Sequence, residues 1–476
     1  MRPQPARRFY ACSRSASISR SRARSAVAGI GFLCWPMICS AQMVGPTPQP
    51  QGIPLTPEQA EQVEPETWAI QGQSTITWLL QPAFRSPYQG PHSLSPAANG
   101  RETIDATLYA GVRPWPGAEI WINPEVDQGF GISNTFGVAG YVSGEAYKIG
   151  KAEPYFTVQR GFLRQTINLG GETEKLDPGL NQLGGTQTAD RLVLTVGKYS
   201  VVDIFDTNAY AHDPRNDFFN WSIIDMGAFD YAANPWGYTY GGALEWYQDW
   251  WTARAGVFDL SQEPNSVALS HGFAQGQFVA ELEERHKHWD QPGKLKFLYW
   301  LTRGRLGTYL DAISLGAATG QTPSTSDVRR FRTKDGLGLN LEQQIATDFG
   351  VFGRASVSQG TVETVDFTDI NNSISAGLSL TGSRWGRPDD TVGLAGAINR
   401  ISHQGKLYFA AGGLGVIIGD GQLPNAGPEQ ILEAYYRVAV FSFAHVAFDY
   451  QFINHPAYNR DRGPVSIFGL QLHLQF

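Results

Sequence analysis

The last ten residues, Ile467-Phe468-Gly469-Leu470-Gln471-Leu472-His473-Leu474-Gln475-Phe476, decide the fold class. Side chains along a strand point alternately to its two faces. One face of this segment carries Phe468, Leu470, Leu472, Leu474 and Phe476; the other carries Gly469, Gln471, His473 and Gln475. One side is wholly apolar and the other almost wholly polar. The pattern predicts a strand between two unlike media.

The preceding segments repeat the design. Leu432, Ala434, Tyr436, Val438 and Val440 alternate with Glu433, Tyr435 and Arg437, and Val446, Phe448, Tyr450 and Phe452 with Ala447, Asp449 and Gln451. Further back, Leu244 and Trp246 flank Glu245, Ala253 and Ala255 flank Arg254, and Val351, Gly353, Ala355 and Val357 alternate with Arg354, Ser356 and Ser358. A charge on a lipid-facing strand position costs about 2–4 kcal/mol at mid-depth. Charges confined to one face therefore mark that face as wet. A soluble protein with a dry core would reverse the sense of the two faces, and periodicity alone does not separate the cases. The basic leader, the confinement of cysteines to it, the strand number and the terminal Phe476 together favour the barrel; a final aromatic on such a strand resembles the signal read by the outer-membrane barrel-assembly machinery. Lipid offers no partner to free N–H and C=O groups, so the sheet must close. From Trp68 to Phe476 there is room for about 16 strands of 9–11 residues, which would enclose an aqueous channel. The expected fold is all-β: a transmembrane antiparallel β-barrel of about 16 strands with an inward-folded constriction loop.

The N-terminal part fits an exported protein. Residues 1–41 hold seven arginines and no acid, then an apolar run from Ala26 to Ile38 and a small-residue exit, Ser40-Ala41. This reads as a secretory signal peptide cut after Ala41, directing the chain to the outer membrane of a Gram-negative cell. A membrane anchor would need about 20 apolar residues, and Pro36 interrupts this run. All three cysteines (Cys12, Cys34, Cys39) fall in this segment, so the exported remainder would be held without disulfides. Residues 42–67 are rich in Pro and Gln and predict a periplasmic lead-in, leaving 68–476 as the barrel. Leu306 to Leu315 predict one short helix between strands.

Composition agrees. Of 476 residues only 17% are charged while 12% are aromatic and 53 are glycine; mean hydropathy is −0.26, and no long apolar run follows the leader. Removing the leader's seven arginines leaves 30 basic against 44 acidic residues, a net charge of −14. That balance opposes nucleic-acid binding and favours neutral or cationic solutes over anions.

By parity Glu245, Arg254, Arg354, Glu433, Tyr435, Arg437, Asp449 and Gln451 point inward and are the candidate pore-lining residues. The segment Asp203 to Trp221 is acidic, aromatic and turn-rich, and predicts a constriction carrying Asp206, His212, Asp213 and Arg215; an ordinary surface loop is the alternative. Enzyme chemistry is not expected: there is no Gly-x-Ser-x-Gly elbow, the nine histidines are scattered, and carboxylate pairs in an acidic chain identify no glycosidase. Glu281, Glu283, His286 and His288 form the one candidate metal cluster, beside a turn at Asp290-Gln291-Pro292-Gly293; a solvated hairpin is the favoured reading, with no metal or other cofactor. A plugged structural barrel would need a plug domain, and the lead-in is too short for one.

The chain also resembles the carbohydrate-selective porin (OprB) family over nearly all of its length after the leader. The resemblance rests on Gly72-Gln73-Ser74-Thr75, Arg113 to Glu119 with Asn123-Pro124-Glu125, Gly144-Glu145, Thr195 to Lys198, Phe205 to Arg215 and Phe219-Asn220-Trp221. It continues through Ser383 to Asp390, Glu433 to Tyr436, Asp449-Tyr450-Gln451 and Asn459 to Pro464. Their order and spacing carry the match. It implies a 16-stranded outer-membrane barrel through which small sugars diffuse passively, and leaves a homotrimer open. Divalent manganese is also linked to the broad family, so a divalent-cation pore of the same fold stands as the alternative.

Overall fold

The structure, a computed structural model, describes residues 53–146, 148–367 and 369–476. The leader expected at 1–41 and the first part of the lead-in lie outside the described residues. A short strand β1 (Ile53–Leu55) and a one-turn helix α1 (Pro57–Glu61) precede the barrel. The barrel strands are β2 (Trp68–Gln81), β3 (Asn99–Val112), β4 (Ala118–Gly129), β5 (Lys151–Leu176), β6 (Gly185–Tyr199), β7 (Thr239–Gln248), β8 (Trp251–Asp259) and β9 (Gly276–His288). They continue with β10 (Gln291–Leu306), β11 (Arg330–Ala346), β12 (Phe349–Ser358), β13 (Asn372–Gly382), β14 (Arg387–Arg400), β15 (Glu429–Phe441), β16 (Ala444–Asn454) and β17 (Val465–Gln475). Every neighbour in sequence pairs antiparallel, and β17 returns to β2 through Phe468↔Leu80 to Gln475↔Gln73. The sixteen strands β2–β17 form a closed barrel with no free edge, as lipid requires.

The alternation resolves as an inverted protein. On β15 and β16 Leu432 and Phe448 are 49% and 55% exposed, whereas Glu433 and Gln451 are fully buried. Apolar rows face outward on strand after strand, including Leu244, Leu337, Ile374 and Leu394. Among the described residues no helix is long and apolar enough to cross a membrane; the strands do so.

The two rims differ. At one, strands are joined by turns as short as 249–250, 289–290, 347–348 and 442–443; at the other, by segments such as 82–98, 130–150, 200–238, 307–329 and 401–428. Short turns face the periplasm and long loops the exterior. Trp289 and Asp290 both take positive φ (53° and 59°), the twist a two-residue hairpin needs. Trp250, Trp289, Phe441 and Phe443 are exposed around this short-turn rim, where amphipathic rings settle at a membrane interface.

The connection 177–184 departs from that plan. Leu180 and Leu183 are buried with Tyr109, Trp121, Phe162 and Tyr199 of the barrel wall. The lead-in crosses beside it: β1 pairs with β5 through Ile53↔Lys175 to Leu55↔Thr173, Glu66 N donates to Gly184 O at 3.0 Å, and Gly184 N donates to Glu66 Oε2 at 2.8 Å. The helix expected at 306–315 is displaced. Leu306 still pairs with Arg330 as the last residue of β10, and helix α3 runs Tyr309–Thr319. It is capped by the Thr308 side chain and ended by Gly320 at φ 70°. Two further helices, α2 (Trp221–Ile224) and α4 (His403–Ala410), lie within the long loops.

Candidate pore and constriction

A barrel of this size has a lumen too wide for its wall side chains to fill, and the segment 200–238 occupies much of it. Phe205, Phe218, Phe219, Ile223, Met226 and Phe229 are fully buried although none belongs to a strand. Such a segment must find partners for its backbone groups inside the barrel. The inward strand residues supply them.

Arg354 of β12 is the main anchor. Its Nε donates to Asp206 Oδ1 at 2.9 Å, and its Nη atoms donate to the carbonyls of Ile223 (2.8 Å), Asp206 (3.0 Å) and Ala211 (2.8 Å). Asp206, held at φ 56°, also accepts from Met226 N at 2.6 Å and Asn340 Nδ2 at 2.7 Å, while its own N donates to Glu281 Oε2 at 2.8 Å. At the far end Glu433 accepts from the backbone N–H groups of Phe219 and Asn220. Gln451 accepts from Asn220 Nδ2 at 3.1 Å and donates to Val142 O at 2.7 Å. The Phe218 ring meets Tyr435 edge-on at 4.9 Å. Arg160 of β5 grips Asp203 with two bonds, 2.7 and 2.5 Å, the planar fork geometry that makes arginine suited to carboxylates.

Of the eight inward residues expected to line the pore, Arg354, Glu433, Tyr435 and Gln451 are therefore covered by the inserted segment and hold it. Asp449 is buried beside Gln451, which donates to its Oδ1 at 3.1 Å. Glu245 is buried behind Arg254, accepting from its Nε at 3.0 Å and from Tyr247 OH at 2.7 Å. Arg254 and Arg437 reach an open cavity. Parity sets the face a side chain occupies and is silent about what lies over that face.

Among the described residues, two of the cavities along the lumen meet at the inserted segment. Toward the periplasm one of about 450 Å³ is lined by Arg254, Glu283, Lys294, Glu342, Asp217 and Arg437 among others. Toward the exterior one of about 130 Å³ is lined by Glu125, Glu145, Gln159 and Arg160 together with Tyr141, Trp221, Trp236, Tyr238 and Phe367. His212 and Asp213 line both and so stand at their junction. Arg215 faces the outer cavity and donates through Nε to Glu145 Oε1 at 2.7 Å. Asp206 lines neither cavity; it is buried on the wall side of the segment, against Arg354 and Asn340.

The charges at the junction are set by burial. His212 is pushed down to about 4 by desolvation and then by the positive Arg354 guanidinium, so the ring is neutral at pH 7. Asp217 accepts from the N–H groups of His212 and Asp213, both at 3.0 Å, and burial pushes its carboxyl up to about 6. The four residues Glu281, Glu283, His286 and His288 do not converge. Glu281 and Glu283 point inward to Arg254 at 2.7 and 3.0 Å, while His286 lies between Glu284 and Gln343. No group of three or more metal-ligating side chains forms among the described residues. The stacked outer chamber, Trp221 on Phe367 at 5.7 Å and on Tyr141 at 5.4 Å, was not legible as a site, because its members are scattered through three connections.

A closed barrel with greasy rows outward, short turns on one rim and a long connection folded into its lumen defines an outer-membrane porin. The model of the carbohydrate-selective porin, OprB family, matches residues 91–476, and the chain belongs to that family. The high-pH structure of Pseudomonas putida OprB superposes with a TM-score of 0.66 at 15% identity, covering 86% of this chain and 94% of that one. Its low-pH structure gives 0.47 at 11% identity, with 86% and 93% covered. Pseudomonas aeruginosa OccK11 (OpdR) gives 0.42 at 10% identity, with 86% and 96% covered. No curated protein matches the sequence. At these identities the first likeness shows the shared fold.

Proposed function

We propose that the lumen passes small carbohydrates by passive diffusion. One observation carries the reading: the outer cavity is lined by aromatic rings together with carboxylates, an amide and a guanidinium. Rings pack against the apolar faces of a pyranose while the polar groups replace water on its hydroxyls. Passage then continues past His212 and Asp213 into the inner cavity, where Arg254 and Arg437 stand with Glu283 and Glu342. Opposed charges across a narrow, wet section set up a transverse field that disfavours bare ions more than neutral polyols.

A divalent-cation pore needs acidic oxygens free to replace a hydration shell. Glu281, Glu283, Glu342, Asp206 and Asp230 are instead engaged by arginine, lysine or backbone N–H groups. No chemical step is assigned to these groups, and the protein acts as a channel. Phe476, whose backbone pairs with Gly72 at 2.8 and 2.9 Å, is the proposed handle for the assembly machinery; Phe476→Ala should lower the amount of folded barrel recovered from the outer membrane. Liposome swelling tests the solute class. Entry of glucose at rates well above those of empty liposomes, slowed by Trp221→Ala or Tyr238→Ala, supports the reading. Swelling no faster than in empty liposomes refutes it.

A further inference from the structure

The outward wall near the long-loop rim combines features that the lumen does not explain. On β10 the outward row reads Leu295, Phe297, Tyr299, Leu301, Arg303, Arg305, with Trp300 and Thr302 buried on the other side. Apolar residues thus give way to two successive arginines at the external rim. The Arg303 guanidinium lies 5.3 Å from the Phe331 ring centroid, on the outside of the barrel. Lower on the same row Phe297 enters an apolar groove of about 770 Å³, walled by Leu337, Leu339, Val357, Ile374 and Ile398, with Ala355 among its lining, and reaching Asn372 and Arg400. Arg400 ends β14 and is exposed.

Among the described residues none of Arg303, Arg305 and Arg400 makes an ion pair, whereas the inward Arg160, Arg254 and Arg354 are each matched to carboxylates. The outward acid of β11, Asp335, pairs in register with Leu301, one step below Arg303, whose guanidinium lies by Phe331. An arginine at a membrane interface keeps its charge by finding water or an anionic headgroup. Its planar fork matches phosphate better than any other side chain does. A furrow of lipid-facing apolar side chains leading from such cations suits an acyl chain attached to that phosphate.

We propose that this face holds one phosphorylated, multiply acylated lipid of the outer leaflet, an acyl chain lying in the groove and phosphates on Arg400 and the Arg303–Arg305 pair. The occupant is a lipid, because Arg400 lines the groove, Phe297 of the row that ends in Arg303 and Arg305 enters it, and the groove faces the bilayer. It requires the outer-membrane placement and is independent of which solute crosses the lumen.

The test uses the full chain reconstituted in phosphatidylcholine nanodiscs carrying hexa-acylated diphosphoryl lipid A, released into mild detergent and read by native mass spectrometry. The wild type should retain one lipid A, and R303A/R305A/R400A should retain about tenfold less. Ala355→Trp, which fills the groove and leaves the arginines, should reduce retention similarly, and R400A alone should give an intermediate loss. Dephosphorylated lipid A should be retained no better by the wild type than by the triple variant, and millimolar inorganic phosphate should not displace the bound lipid. Unchanged retention in the triple variant or in Ala355→Trp, equal retention of the dephosphorylated lipid, or displacement by free phosphate each overturns the proposal. Glucose-driven swelling unaffected by the triple variant keeps this result separate from the pore reading.

Discussion

The two faces of β15 share a backbone and differ in everything else. Leu432, Ala434 and Tyr436 look outward, and Glu433, Tyr435 and Arg437 look inward. Outward, Leu432 and Ala434 need only match acyl chains, while Tyr436, nearer the rim, donates its hydroxyl to Asp390. Inward, Glu433 takes the N–H groups of Phe219 and Asn220, and Arg437 donates to Asn216 at 2.9 Å and Thr391 at 3.0 Å. The outer wall is therefore specified by solvent and the inner wall by partners. A barrel carries its network of specific contacts where a soluble protein carries its apolar core.

Substitutions can break that contrast. Arg354→Ala removes four hydrogen bonds from the inserted segment and leaves Asp206 buried without its cation; losing one partner of a buried pair costs about 3–5 kcal/mol. A lower thermal midpoint of the folded barrel, together with higher and noisier single-channel conductance, is expected. An unchanged midpoint would mean that the segment is held elsewhere. Next, Phe448→Arg on the outward row should cost about 2–4 kcal/mol in a bilayer, measured as a shift in urea-driven unfolding from vesicles, while Phe448→Leu should cost under about 1.5 kcal/mol. Equal costs for the two would place Phe448 away from lipid. Asp213→Asn, at the junction of the cavities, should leave folding intact and lower the cation-to-anion permeability ratio by roughly twofold, since field effects at a pore scale with nearby charge. Reversal potentials across a potassium chloride gradient measure it.

The smallest effect expected is that of pH. Asp217, raised to about 6, lines the inner cavity, so lowering pH through 6 removes one negative charge and should reduce cation preference. His212, lowered to about 4, adds no positive charge until far more acid conditions. Because the His212 ring is neutral in the folded barrel and charged at ordinary acid pH when unfolded, its contribution to stability is fully present above about 6.5 and declines as pH falls toward 4. Asp217→Asn should flatten the selectivity profile near pH 6; an unaltered profile would assign the titration to another group.

Much of the fold was legible because period two and a terminal aromatic depend only on local residues. Phe468, Leu470, Leu472 and Phe476 state the outward row without reference to anything distant. The inner face was legible only in outline. The sequence placed Glu433 and Arg354 on the correct side, yet their partners Phe219, Asn220, Ile223 and Ala211 lie more than a hundred residues away and carry no periodic mark. The inward fold was expected only for Asp203 to Trp221, and the burial of Ile223, Met226 and Phe229 beyond it carried no mark: in a water-filled lumen apolar rings pack only when several of them insert together. The helix expected at 306–315 moved to Tyr309–Thr319 because pairing of Leu306 with Arg330 kept the strand going through Leu306.

The most direct test is a planar-bilayer recording of the purified chain in potassium chloride with a series of neutral sugars added to one side. Steady conductance with concentration-dependent current block by glucose, relieved in Trp221→Ala, is expected. A closed barrel without conductance, or a strongly cation-selective current indifferent to every sugar, would contradict it.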